Sequence, residues 1–282
     1  MKILSTIKTV PLSYFVYSAF SAFGRRHDWQ LPGMWFVLSM AELGREASAV
    51  RQTLYRMEQD GELATQKVGR IKRYSPSKFA ASEIHVGTAK IFAPHTRQWD
   101  GAWTMVHLSL NAPAQRVARE RIVALLAVEG FALLGADTYI HPHSRAEGLR
   151  EALSERSRAH VVMLRGPLLE PVSTARLAEL WNVQALATRY RRTYTRLKEV
   201  ESSLANRELS DRDHFVLRYA VVFDYLGVAW DDPGLPAAVL PPEWPAEDAR
   251  TLAAALYERL LPGATRYAEQ LLERCSPSTA HV

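Results

Sequence analysis

Ala47–Tyr74, with the sequence ASAVRQTLYRMEQDGELATQKVGRIKRY, leaves few folds open. On a helical wheel of about 100° per residue, Val50, Leu54 and Met57 fall within roughly 40° of one another and form a narrow apolar stripe. Ser48, Gln52, Tyr55 and Gln59 land on the opposite side, flanked by Arg51 and Arg56. That outer face carries hydrogen-bonding and cationic groups and has no acid at its centre. Asp60-Gly61 ends the helix, because glycine accepts the left-handed conformation of a helix stop. Leu63–Val68 then reads as a strand, Gly69-Arg70 as a tight turn and Ile71–Tyr74 as the partner strand. Lys67, Arg70, Lys72 and Arg73 crowd this hairpin. A polar-faced helix followed by a basic hairpin is the pattern of a winged helix, whose helix enters the major groove and whose wing touches phosphate. A solvated surface helix beside an exposed basic hairpin fits the same residues, and the distribution of charge is what separates the two readings.

The chain of 282 residues has a formal net charge of +5. Met1–Ala80 alone holds 12 Lys/Arg against 6 Asp/Glu, a net of +6, so the rest of the chain comes to −1. The whole positive excess therefore sits around the helix and hairpin, which points to a polyanion, double-stranded DNA, as the partner of that segment. Cys275 is the single cysteine, which excludes an internal disulfide framework and a cysteine zinc finger and suits a reducing cytoplasm. Lys8 and Pro11 interrupt the apolar N-terminal run, so a secretion signal is not expected, and no apolar stretch is long enough to span a membrane.

Upstream of the opening stretch, Leu12, Phe15, Val16, Ala19, Phe20 and Phe23 recur at helical spacing and predict a helix ended by Gly24. Pro32-Gly33 opens a second helix, Met34–Leu43, and the third begins near Ser48. Three helices and a hairpin define a winged helix-turn-helix domain over 1–80. Ala80–Arg97 reads as a connector. Trp103–Leu110 alternates as a strand. Arg116–Glu129 is an amphipathic helix with Val117, Ile122, Leu125 and Leu126 inward. Phe131–Leu134 and Thr138–His141 are short strands, Arg145–Leu153 a helix and Val161–Leu164 a strand. This β-α-β-β-α-β order predicts a ferredoxin-like domain over 98–166. From Thr174 the pattern is helical, interrupted by the proline-rich Asp231–Pro245, with Pro262-Gly263 as the expected break in the final helix pair. The expected fold class is thus α+β, closing with a helical domain over 172–282 that serves effector binding and dimerisation.

Several motifs together are similar to the PaaX-type repressors of phenylacetate degradation. They are the Val50-Arg51 helix start, Gly61, Gly69-Arg70 with Tyr74, Trp99-Asp100-Gly101 with Trp103, Asp232-Pro233-Gly234-Leu235-Pro236, and Leu240-Pro241 with Trp244-Pro245. The likeness runs from about Leu12 to Leu272. It implies a transcriptional repressor, usually dimeric, released from operator DNA by an aryl-CoA thioester. The family usually carries arginines just before the Asp-Pro-x-Leu-Pro motif, whereas this chain has Phe223–Trp230, which opens the effector to a different aromatic acid or thioester. Arg191 and Arg192 have two readings: a charged helix face in water, or phosphate contacts to a CoA-type effector. Trp181, Tyr190 and Tyr194 are candidates for its acyl end, with core packing as their alternative, and His214 and Arg218 for its carbonyl. The apolar Leu252–Leu272 segment, together with the likeness, predicts a homodimer.

No cofactor motif appears. His141-Pro142-His143 lacks a third metal ligand at a convincing spacing. The ferredoxin-like order also occurs in CRISPR adaptation nucleases, but metal-dependent cleavage wants a carboxylate at the end of the first strand, and Leu110-Asn111 stands there. The chain is therefore read as a regulator rather than an enzyme. A nuclease-like enzyme and an oligomeric scaffold with an incidental basic face stand as the alternatives.

Overall fold

A computed structural model describes residues 2–92, 99–110, 112–144, 148–150, 153, 158–168 and 174–275. After a 3₁₀ helix over Lys2–Thr9 come α1 (Leu12–Phe23), β1 (Leu31–Pro32), α2 (Gly33–Ala41), α3 (Ala47–Gln59), β2 (Leu63–Val68), β3 (Ile71–Pro76) and α4 (Lys78–Phe92). Next are β4 (Trp103–Leu108), α5 (Arg116–Val128), β5 (Ala132–Gly135), β6 (Thr138–His141) and β7 (Val161–Gly166). The described chain closes with α6 (Thr174–Leu180), α7 (Val183–Asn206), α8 (Asp211–Ala229), α9 (Ala246–Arg259) and α10 (Leu261–Glu273). Helices and two antiparallel sheets make the chain α+β. Backbone packing divides it into two compact units. One gathers residues 1–93, 191–229 and 248–282, the other 94–190 and 230–247.

The first unit is built on aromatic residues that periodicity places on one face of α1. Phe15, Val16, Ala19, Phe20 and Phe23 are all buried. Their partners come largely from α8: the Phe15 ring meets Phe223 at 4.5 Å edge-on, and Phe23 stacks on Phe215 at 5.9 Å. Most of α8 is buried on every side, as befits a central helix. The buried Trp35 of α2 donates Nε1–H to the Ala268 carbonyl of α10 at 3.0 Å. Two C-terminal helices thus complete the core that α1 and α2 begin. In α8, the Asp224 side chain is 1% exposed and its Oδ1 accepts from Thr6 and from Arg196 Nε, at 2.9 and 2.8 Å. The break between α9 and α10 falls at Leu260, ahead of the expected Pro262-Gly263, because Pro262 occupies the first turn of α10 where its missing N–H costs nothing.

The second unit holds a four-stranded sheet in the order β5-β6-β4-β7. One face carries Val106, Leu108 and Tyr139 against Ile122 and Leu126 of α5. Val117, expected to point inward, is 54% exposed: it lies about 140° around the helix from Ile122 and so leaves the buried stripe. The predicted helix at Arg145–Leu153 falls mostly outside the described residues, with 148–150 helical. The other face carries Trp103 and Ile140 against Leu177, Val183, Leu235 and Val239. Here the tryptophans form a chain. Trp99 meets Trp103 edge-on at 5.3 Å, Trp103 stacks on Trp181 at 6.2 Å, and Trp181 Nε1 donates to the Gly130 carbonyl. The Asp232-Pro233-Gly234 turn is a clamp in this unit. Asp232 Oδ1 accepts from the Gly234 amide at 2.8 Å, its Oδ2 accepts from the Tyr190 hydroxyl at 2.7 Å, and His143 Nε2 donates to the Gly234 carbonyl at 2.6 Å. Gly234 has φ +69°, a conformation that favours glycine.

Candidate nucleic-acid interface

Helix α3 buries Val50, Thr53, Leu54 and Met57, the predicted stripe widened by one threonine. Its stop follows from Gly61, at φ +72°, while the Glu62 amide reaches back to the Met57 carbonyl at 2.8 Å. Ser48, Arg51, Gln52, Tyr55 and Arg56 are all exposed, Tyr55 by 61% despite its apolar ring.

The hairpin closes through Gly69-Arg70, with Gly69 at φ +60° and Val68 opposite Ile71. Strand β3 runs two residues beyond the predicted Tyr74, to Pro76, and also pairs with β1, which the sequence did not reveal. The register sets Lys67 opposite Lys72, a repulsive pair. Glu58, in the last turn of α3, relieves it. Its Oε2 accepts from Lys72 Nζ at 2.6 Å and its Oε1 from Thr65 Oγ1 at 2.9 Å. The Lys72 hydrogen bond holds the Glu58 carboxyl below its ordinary pKa, and Glu58 in turn raises that of Lys72. This contact fastens α3 to both strands of the hairpin. Arg73 is half-buried and donates to the Gln30 carbonyl at 3.4 Å. The four hairpin cations therefore divide. Lys67 and Arg70 are exposed with no partner among the described residues, while Lys72, though exposed, is ion-paired to Glu58 and Arg73 is half-buried and bonded to the Gln30 carbonyl. Between α2, α3 and β3 lies an open groove of about 400 Å³, lined by Met34, Val37, Leu54, Ile71, Tyr74 and Cys275 together with the cationic Arg51, Arg70 and Lys72.

The effector candidates are dispersed. Trp181 and Tyr190 lie in the second unit, where both polar atoms are engaged as described above and Tyr190 also meets Trp244 edge-on at 5.8 Å. Arg191, Arg192, Tyr194, His214 and Arg218 belong to the first unit. Arg191 and Arg192 are exposed on α7. Arg218 is buried, its guanidinium 3.5 Å from the Tyr257 ring centroid while Nε donates to the Tyr257 carbonyl at 3.2 Å. His214 is half-buried, with Nδ1 enclosed and lacking a hydrogen-bond partner. Among the described residues no group of three His, Cys, Asp or Glu is placed to hold a metal. Asp100, which precedes β4 in sequence, is ion-paired to Arg165 of β7 at 2.7 Å. No described helix is long and apolar enough to cross a membrane.

These features define an α+β protein that presents a polar helix and a cationic hairpin at one surface. Residues 96–178 match the family model for the PaaX protein central Cas2-like domain, and residues 181–270 that for the PaaX-like protein C-terminal domain. The chain belongs to the PaaX-type family. It is 24% identical over 236 residues to the transcriptional repressor PaaX of Escherichia coli strain K12, covering 81% of this chain and 73% of that protein. Its fold is similar to that of an uncharacterized protein, Rv0674, from Mycobacterium tuberculosis, with TM-score 0.57 and 19% identity over 92% of this chain and 97% of the other.

Proposed function

We propose that the chain is a cytoplasmic, DNA-binding transcriptional repressor without enzymatic activity, in which residues 1–80 form a winged helix-turn-helix, 98–166 a ferredoxin-like domain and 172–282 a helical effector and dimerisation region. The observation that carries this reading is the exposed Ser48, Arg51, Gln52, Tyr55 and Arg56 face beside a hairpin whose Lys67 and Arg70 have no described partner. Lys72 and Arg73 each already donate within the fold, to Glu58 and to the Gln30 carbonyl, and so are less available to phosphate than Lys67 and Arg70. The β5-β6-β4-β7 order supports the ferredoxin-like reading. The E. coli relative's name supports repression.

A homodimer places two such helices on half-sites about 34–36 Å apart, or a multiple of that spacing. The effector is an aryl-CoA such as phenylacetyl-CoA, or another aromatic acid, and Arg191 and Arg192 are the exposed candidates for its phosphates. The test selects duplexes from a randomised pool with the full chain, then titrates the complex with free aromatic acids and with their CoA esters. Enrichment of a two-fold-symmetric sequence, and its release by a thioester, is expected. Failure to enrich any sequence would overturn the repressor reading, and unchanged release in Arg191→Ala/Arg192→Ala would remove those two residues from the effector site.

A further inference from the structure

The groove between α3 and β3 contains Arg51 but none of Ser48, Gln52, Tyr55 or Arg56. The outer face of the recognition helix is thereby split. Arg51 turns toward the hairpin, and Arg70 reaches the same groove from the hairpin turn. Both are exposed, and neither has a hydrogen-bond or ion-pair partner among the described residues. Lys72, the third cation there, is tied to Glu58 at 2.6 Å, so its charge is already matched. The floor between these cations is apolar: Leu54 and Tyr74 are buried, and Met34 is 50% exposed at the mouth.

An apolar floor with two unpaired guanidiniums at its rim matches the chemistry of one sugar–phosphate unit. The deoxyribose edge is apolar, and phosphate accepts several N–H bonds from paired arginines. We infer that this groove seats the DNA backbone, with Arg51 and Arg70 closing on a single phosphate, so that Arg51 fixes register on the duplex while sequence is read by Ser48, Gln52, Tyr55 and Arg56. The inference rests on the DNA-binding reading and deepens it.

A contact to phosphate carries no sequence information, whereas a base contact does. The experiment measures dissociation constants over a salt series for the full chain on two probes: a mixed-sequence duplex, and a duplex that the parent chain has enriched from a randomised pool. Arg51→Ala is expected to weaken both probes by the same factor, leaving their ratio unchanged. Because one phosphate is shared, Arg51→Ala/Arg70→Ala lowers the magnitude of the log K against log salt slope by about 0.9 in total rather than about 1.8. Its loss of affinity falls short of the product of the single losses. Both side chains are exposed, and a thermal melt of each variant confirms that the fold is retained. Loss of preference for the enriched duplex in Arg51→Ala, or independent losses with a slope change of two contacts, overturns the shared-phosphate seat. A parent chain that retains neither duplex overturns the DNA-binding reading instead. A parent that binds while neither variant moves the slope overturns this inference alone.

Discussion

Gly263→Ala separates helix propensity from helix packing in a single substitution. Gly263 lies in the first turn of α10, where alanine is better than glycine by about 0.5–1 kcal/mol on propensity alone. The structure predicts the opposite sign. A Cβ at this position would stand 2.3 Å from His214 Nδ1, 2.6 Å from its Cγ and 2.9 Å from its Cβ. The ring can rotate, but the His214 Cβ is fixed to the backbone of α8, so α8 and α10 must move apart. Overpacking of this kind costs about 1–3 kcal/mol, which outweighs the propensity gain and leaves a net destabilisation of up to about 2.5 kcal/mol. Thermal unfolding followed by circular dichroism reads this as a fall of roughly 2–4 °C per kcal/mol. His214→Ala removes the two closest contacts and an enclosed nitrogen without a partner. The double variant is therefore less destabilised than the two singles combined, by about 1 kcal/mol. A Gly263→Ala protein that melts at or above the parent temperature would refute the close approach of the two helices.

Three further outcomes follow from local chemistry. Arg73→Ala lowers the melting temperature, because its guanidinium supports the Gln30 carbonyl, but leaves the salt dependence of duplex binding unchanged, whereas Lys67→Ala flattens it; equal flattening by both would place Arg73 on phosphate. Asp213 accepts from the Ser210 hydroxyl and amide at 2.6 and 3.1 Å and caps α8; the hydroxyl bond comes first among the causes holding its carboxyl below the ordinary range. A depressed carboxylate contributes stability that is present above its unfolded pKa of about 3.9 and is lost as pH falls through the folded value, so Asp213→Asn makes the acid limb of a stability–pH curve shallower, and an unchanged limb would contradict the cap. Burial pushes the Cys275 thiol up, so alkylation by iodoacetamide at neutral pH runs slower than on an unfolded control and accelerates as pH rises; equal rates at pH 7 would place the thiol in solvent.

Local elements were legible wherever a single face is buried. The α1 and α3 stripes appear as read, because apolar spacing reports burial directly, and the Leu63–Val68 strand, of which only Leu63 is buried, was legible from the Gly69-Arg70 turn that follows it. Illegible were elements whose shape depends on a distant partner. Strand β1 is only Leu31–Pro32, too short for any alternation, and exists because β3 offers it a free edge. Helix α8 is buried on nearly all sides, so its periodicity names no facing surface and gave no sign that Phe215 and Phe223 pack on α1. The Pro262-Gly263 pair looks like a helix break in sequence, yet Pro262 suits the first turn of α10 and the glycine is kept for space.

The same distinction governs the candidate sites. Exposure of Ser48, Arg51, Gln52, Tyr55 and Arg56 is a property of one helix, and a wheel finds it. Whether a charge is free is a property of pairs, and pairs join residues far apart in sequence. Lys72 is matched by Glu58, 14 residues away, Tyr190 by Asp232, 42 away, and Arg218 by the Tyr257 carbonyl, 39 away. A composition of arginines among aromatics therefore cannot separate a ligand pocket from a satisfied core. In the C-terminal helices much of it is core: Arg218 spends its charge on the Tyr257 ring and carbonyl, and Trp181 and Tyr190 spend their polar atoms on Gly130 and Asp232. A phosphate-bearing effector gains most from cations that need not first give up a partner, since an ion pair broken to admit it leaves a desolvated charge behind. By that criterion the exposed Arg191 and Arg192 outrank Arg218 as phosphate contacts, and Arg51 and Arg70 outrank Lys72 and Arg73 on DNA.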